Sequence, residues 1–188
     1  MKKWMLVLLS VLTIALIGCG NGENSGNGEN DSTPAPTKGV TGSENKNNGK
    51  TEPAGYVFEY EGTKIWMDMD ASLVVNALGE PDKYFEAPSC AFEGLDKKYT
   101  YGSIEIDTYE IDGKDYVSCV YFRDDLVNTP EGICLYMTME DMVNAYGNGY
   151  KEEFGMYVYE KDGMKLKFLV KDNEITSIEY VSTVLDAQ

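Results

Sequence analysis

The sequence predicts an α+β fold of tandem duplicated units. Each unit is a short helix packed on a three-stranded antiparallel meander, and the two are joined into one sheet. Three observations predict it. Segments 65–79 and 133–147 align without a gap and share Ile65/Ile133, Met69/Met137, Val75/Val143, Asn76/Asn144, Ala77/Ala145 and Gly79/Gly147. Each segment carries apolar residues at helical spacing, closed by a glycine. Each is then followed by alternating runs separated by two-residue turn signals.

The chain begins with a targeting pattern. Met1-Lys2-Lys3 is a positive n-region, and Trp4 to Ile17 is an apolar run broken only by Ser10 and Thr13. Such a run spans about 21 Å as a helix, short of a hydrocarbon core of ~30 Å. It therefore reads as the h-region of a signal peptide over residues 1–18. The tetrapeptide Leu16-Ile17-Gly18-Cys19 resembles the lipobox of bacterial lipoproteins. The resemblance implies a diacylglycerol on the Cys19 thiol and cleavage before Cys19. It places the protein on the extracytoplasmic face of the cell membrane, with the membrane itself a partner through the lipid anchor.

Residues 19–55 have no apolar periodicity. They are rich in Gly, Asn and Ser and punctuated by Pro34, Pro36 and Pro53. Such a stretch buries too little surface to offset its ordering entropy and reads as a flexible linker. Two repeat units follow, over 56–123 and 124–188.

A lead-in hairpin is expected over 56–60 and 63–67, turning at Glu61-Gly62. Asp70 stands where a first helix needs its N-cap. Val74, Ala77 and Leu78 form its apolar face, Gly79 closes it, and Pro81 prevents continuation. Strands are expected at about 97–101, 104–110 and 115–122. In the second unit Thr138 is the N-cap, with Asp141 three residues on as in a capping box. Met139, Met142, Val143 and Tyr146 lie on one helical face, and Gly147 closes it. Strands are expected at about 156–160, 164–170 and 174–181, with turns at Asp162-Gly163 and Asp172-Asn173.

The run Leu78-Gly79-Glu80-Pro81, leading into aromatic strands and a meander, resembles the SmpA/OmlA (BamE-like) lipoprotein domain. Two such units in tandem resemble the β-lactamase inhibitor protein fold. Ser89-Cys90-Ala91-Phe92-Glu93-Gly94 and Thr129-Pro130-Glu131-Gly132-Ile133 are similar to segments of uncharacterised lipoproteins of clostridia-like Gram-positive bacteria. The resemblance implies a non-catalytic scaffold that binds other macromolecules with its sheet.

Composition narrows the chemistry. The 188 residues include no histidine, which removes Ser-His-Asp triads, Cys-His pairs and imidazole zinc sites. A formal net charge of −16 argues against nucleic acid, whose phosphates need a basic footprint. No stretch has the alternating oxygen ligands, glycine and closing Glu of a calcium loop. The acid groups Asp68/Asp70, Asp112/Asp115, Asp124-Asp125 and Asp172/Glu174 fit turns and solvated edges. No catalytic, cofactor-binding or metal-ligating residue is expected. A reactive thiolate needs a histidine, a cation or a helix N-terminus to lower its pKa. There is no histidine, and Glu93 near Cys90 acts the opposite way. No catalytic thiol is therefore expected among Cys90, Cys119 and Cys134, and whether two of them form a disulfide stays open.

The sequence reads as a non-enzymatic binding module of the cell envelope, facing an envelope protein or wall component. A proteinaceous inhibitor of a secreted enzyme and a carboxylate-based hydrolase are the alternatives. Strand alternation turns Ile104 and Ile106 toward the helices. It turns Glu105, Asp107 and Tyr109 outward in the first unit, and Lys165, Lys167 and Leu169 outward in the second. The outer face is thus expected to be acidic in one half and basic in the other. Tyr109, Lys165 and Lys167 are the candidate partner contacts.

The lipid anchor is directly testable. Cys19→Ala should abolish incorporation of labelled fatty acid and leave the precursor uncut before residue 19. Continued labelling of that variant would overturn the assignment.

Overall fold

A computed structural model describes residues 53–187. The signal peptide, Cys19 and the linker up to residue 52 lie outside the described residues. The fold is α+β, with two short helices and a largely antiparallel sheet of eight strands.

A hairpin leads in, β1 (Phe58–Tyr60) and β2 (Thr63–Ile65). Helix α1 (Ala71–Leu78) starts at Asp70, whose carboxylate accepts from the Ser72 amide at 3.0 Å and the Ser72 hydroxyl at 2.7 Å. Strands β3 (Lys83–Pro88), β4 (Leu95–Tyr101), β5 (Ile104–Ile111) and β6 (Lys114–Phe122) follow as a meander. Helix α2 (Met139–Tyr146) starts at Thr138, with the reciprocal Thr138–Asp141 capping box in place. Strands β7 (Lys151–Glu153), β8 (Met156–Lys161), β9 (Met164–Lys171) and β10 (Glu174–Ser182) then repeat the meander. A 3-10 turn, Val184–Ala187, ends the described chain.

Each meander therefore has four strands, one more than the alternation pattern predicted. β3 escaped because it is exposed along nearly its whole length and shows no buried face to alternate with. β7 escaped because it is only Lys-Glu-Glu. The turns Glu61-Gly62, Asp112-Gly113, Asp162-Gly163 and Asp172-Asn173 all place two residues at positive φ. That is the left-handed pair a two-residue hairpin demands, and acids, asparagine and glycine tolerate it best.

The strand order is β3-β4-β5-β6-β10-β9-β8-β7, a mirror sequence about the central pair. β6 and β10 pair at only three positions: Cys119↔Val181, Val120↔Tyr180 and Tyr121↔Glu179. Beyond them each strand turns to the segment before its own helix. The Asp68 amide donates to Val117 O and the Val117 amide to Met69 O. The Tyr136 amide donates to Ile175 O and the Ile175 amide to Met137 O in the same way.

Other contacts also occur twice. The Trp66 amide meets Met69 Sδ at 3.4 Å, and the Cys134 amide meets Met137 Sδ at 3.3 Å. The Tyr101 hydroxyl donates to Gly79 O and the Tyr159 hydroxyl to Gly147 O, so each tyrosine satisfies a carbonyl left over at a helix end. Register shifts fall between Asp107 and Thr108 along the β5–β6 pairing and between Ile175 and Ser177 on β10.

The core lies between the helices and the inner face of the sheet. Ile104, Ile106, Val117 and Val120 line it in the first half, and Leu166, Phe168, Ile175 and Ile178 in the second. Val74 of α1 and Met142 of α2 are fully buried against it. The β1–β2 hairpin closes the core at the central junction. Phe58 packs on Phe122 of β6 at 5.1 Å and on Tyr180 of β10 at 5.6 Å between ring centroids. Packing already involves Gly55, where an added Cβ would stand 2.7 Å from Met164 Cε. Among the described residues no helix is long and apolar enough to cross a membrane.

Phe58 touches both halves, so its loss should weaken the whole fold at once. Phe58→Ala is expected to cost about 3–5 kcal/mol, read as a lower urea midpoint with an unchanged slope and a single transition. Two separated transitions, or a cost under about 1 kcal/mol, would refute its role as the shared packing residue.

Candidate functional site

The helices cover one face of the sheet, and the opposite face is open. Two rows of directly opposed residues cross that open face. One row runs Phe85, Lys98, Asp107, Cys119, Val181 and Lys165. The next runs Glu105, Tyr121, Glu179 and Lys167. The structure thus brings Glu105, Asp107, Lys165 and Lys167 to one common face, while Ile104 and Ile106 are buried on the other.

A cleft of about 460 Å³ lies on this face. Cys119 and Tyr121 contribute from β6, and Asp96, Lys98 and Asp107 from β4 and β5. Phe85 comes from β3, and Asp186 reaches in from the terminal turn. The Lys98 ammonium donates to Glu105 at 2.6 Å and stands 3.4 Å from Asp107 Oδ1. It also sits 5.6 Å from the Tyr121 ring centroid, within cation–π range.

Burial sets the electrostatics here. It pushes the Asp107 carboxyl up to about 6, because the Lys98 charge only partly offsets desolvation and the Glu105 charge adds to it. Burial also raises the Cys119 thiol well above its ordinary value, and the Tyr121 hydroxyl with it. A thiol held protonated in this way is no nucleophile at neutral pH. Burial pushes Lys98 down, but its hydrogen bond to Glu105 and the Asp107 charge outweigh that and leave it raised.

The three candidate contacts fare differently. Tyr109 lies on the same side of β5 as Asp107 by alternation, but it is only 3% exposed. Phe92 covers its ring edge-on at 6.1 Å, Tyr116 stacks on it at 5.7 Å, and its hydroxyl donates to Asp68 at 2.8 Å. The connection carrying Phe92 folds over this end of β5, which alternation within one strand cannot foresee. Tyr109 is therefore a packing residue and offers no contact surface. Lys165 is drawn in between Glu153 at 3.3 Å and Asp186 at 2.8 Å, leaving 13% of its side chain exposed. Lys167, opposite Glu179, makes no ion pair among the described residues.

The expected division into an acidic and a basic half does not hold on the open face. Lys98 sits among the acids of the first half, and Glu153, Glu179 and Asp186 sit among the lysines of the second. Alternation along β4 and β6 carries a signal for Lys98 and Tyr121, although neither stands among the expected contacts. Phe85 belongs to a strand with no sequence signature, and Asp186 to a turn that only the fold brings back over the sheet.

Cys90, Cys119 and Cys134 are all free thiols, exposed, buried and half-buried in that order. Among the described residues no group of three or more Cys, Asp or Glu side chains is placed to hold a metal ion. Comparison of the chain with protein-family models, curated proteins and solved structures finds no match.

Asp107 gives this site a measurable pH signature. Its carboxyl lies above the ordinary 3.8 in the folded protein, so the native state keeps a proton that the unfolded chain has lost. Stability from this group is fully present below about pH 4, falls as pH rises to about 6, and is then constant. Asp107→Asn, which cannot ionise, should gain roughly 1–3 kcal/mol relative to wild type across that interval. Urea denaturation at pH 4 and pH 7 measures it, and a carboxyl NMR titration should show a midpoint near 6. A midpoint at or below 4 would refute the assignment.

Proposed function

We propose that this chain is a membrane-anchored extracytoplasmic lipoprotein that acts as a non-catalytic binding module of the cell envelope. The lipid on Cys19 tethers it, residues 19–55 space it from the bilayer, and the open face of the sheet holds an envelope protein or wall component. The observation that carries this reading is the open face itself. It is a broad surface with a shallow cleft, lined by charged side chains already held in place by one another. Side chains fixed in advance lose little entropy on binding. Sheet faces bearing aromatic groups among paired charges suit macromolecular recognition.

We also infer that the two halves arose by tandem duplication. Contacts with no simple secondary-structure cause recur in both: the amide-to-methionine-sulfur contact, the tyrosine on the helix-ending glycine, and the register shift near the junction. Common ancestry accounts for them better than shared helix and strand patterning does.

One observation favours a second reading, a carboxylate-based hydrolase. Asp107 is held up near neutrality beside Glu105, and hydrolases use paired carboxyls in differing environments. Against it, the Lys98 ammonium binds both carboxyls, where a substrate would have to enter.

The test is capture from envelope extract, using the chain from residue 19 onward and a Lys98→Glu/Lys167→Glu double variant. A partner retained by the parent and by Glu140→Gln on α2, but lost from the double variant, would support the open face. Equal capture by all three would refute it. Turnover of glycosides abolished by Asp107→Asn would favour the hydrolase instead.

A further inference from the structure

The sheet ends differently at its two edges. β7 is three residues long and wholly charged, Lys-Glu-Glu, which is how natural sheets discourage further strand pairing. β3 runs for six residues, Lys83–Pro88, and pairs with β4 along its whole length, leaving its other side open. It carries two adjacent aromatics, Tyr84 at 49% and Phe85 at 61% exposure. Within the strand itself, only Lys83, Glu86 and the terminal Pro88 check further pairing.

We propose that the β3 edge is a self-association surface, which pairs antiparallel with β3 of a second copy about a two-fold axis through Phe85. The geometry selects this register. A two-fold axis normal to the sheet reverses the strand and keeps each face on its own side. Directly opposed residues must then come from the same face. Only two registers meet that condition and pair five residues of the strand. Centred on Glu86, the pairing sets two carboxylates against each other, which is destabilising. Centred on Phe85, it opposes Phe85 to Phe85 on the open face, Tyr84 to Glu86 twice on the other, and Lys83 to Ala87 twice. No like charges meet. The Tyr84 hydroxyl already donates to Glu86 within one chain, so the same donor and acceptor are in reach across the axis.

The pairing would join two eight-stranded sheets into one and set the two open-face clefts side by side, since Phe85 lines both the cleft and the axis. So short an interface falls below the ~1,200 Å² of stable complexes. Association is therefore expected to be weak in solution and favoured where copies share a membrane surface. Without Lys2 and Lys3 of the signal peptide, the net charge of −16 becomes −18, and it repels a second copy. Salt that shortens the screening length below about 10 Å should strengthen the dimer, the opposite of a charge-driven complex.

Sedimentation equilibrium on residues 19–188 carrying Cys19→Ser and Cys90→Ser tests this. The mean mass should rise toward that of a dimer with concentration, and more steeply in ~0.5 M than in ~0.05 M salt. Phe85→Lys should return it to monomer, and Phe85→Thr should weaken it with an unchanged melting temperature. Added to that background, Phe85→Cys should cross-link through the axis. Tyr84→Cys should not, being two residues out of register with its own copy and beyond disulfide reach. A monomer at every concentration and salt would overturn the proposal. So would self-association by Phe85→Lys equal to the parent, or cross-linking through position 84 as efficient as through 85.

Discussion

Three residue pairs between β6 and β10 hold the two halves in one sheet, and most of the fold is arranged around that short junction. A unit of about 60 residues buries only ~60% of its unfolded surface and is marginal alone. Each meander would also expose the edge of its longest strand. Pairing β6 with β10 removes both exposed edges at once. The pairing is brief because the other ends of both strands are claimed by the segments before the helices. Side chains make up what the backbone lacks. Phe58, Phe122 and Tyr180 pack beneath the junction. Asp68 accepts from Tyr109 of the first half and from Ser182 of the second, at 2.8 and 2.6 Å.

The same junction creates the open face. Because the halves meet edge to edge, both helices cover one side of a single continuous sheet. The other side carries no helix; only the connection with Phe92, over the end of β5, and the turn with Asp186 lie across it. Rows of opposed residues cross it without interruption, so Asp107 of the first half and Lys165 of the second stand in one line. Charges that would repel within a half are interleaved with opposite ones. Lys98 lies between two carboxylates, and Lys165 between two others. A strongly acidic chain thereby presents a nearly balanced cleft, where Asp96, Asp107 and Asp186 stand with Lys97 and Lys98.

The two halves of the sheet are unequal in ways that matter. In the first, β3 and β4 extend into a connection whose Phe92 seals Tyr109 beneath it. In the second, β7 and β8 meet in the tight Phe154-Gly155 turn, where Phe154 is fully exposed at positive φ. The edge strand of the first half, β3, carries two adjacent aromatics, and that of the second, β7, is wholly charged. An approximately symmetric sheet therefore ends in one edge fit for pairing and one that resists it.

Local chemistry was written plainly in the sequence. Helix caps at Asp70 and Thr138, helix ends at Gly79 and Gly147, and hairpin turns at acid-Gly pairs each depend on neighbours within a few residues. Six of the eight sheet strands, β4, β5, β6, β8, β9 and β10, were legible because each has a buried face and so an alternating pattern. β3 and β7 were not, since an exposed edge strand buries nothing that would impose a period on it. The facing of Glu105, Asp107, Lys165 and Lys167 followed from that same alternation. What alternation cannot carry is the third dimension. Tyr109 was sealed by a connection seventeen residues upstream, Lys165 was enclosed by a turn at the far end of the chain, and Asp107 was neutralised in part by a lysine from the neighbouring strand. Burial and pairing depend on which segments meet in space, and that meeting is decided by the packing of the whole core, not by residues near in sequence.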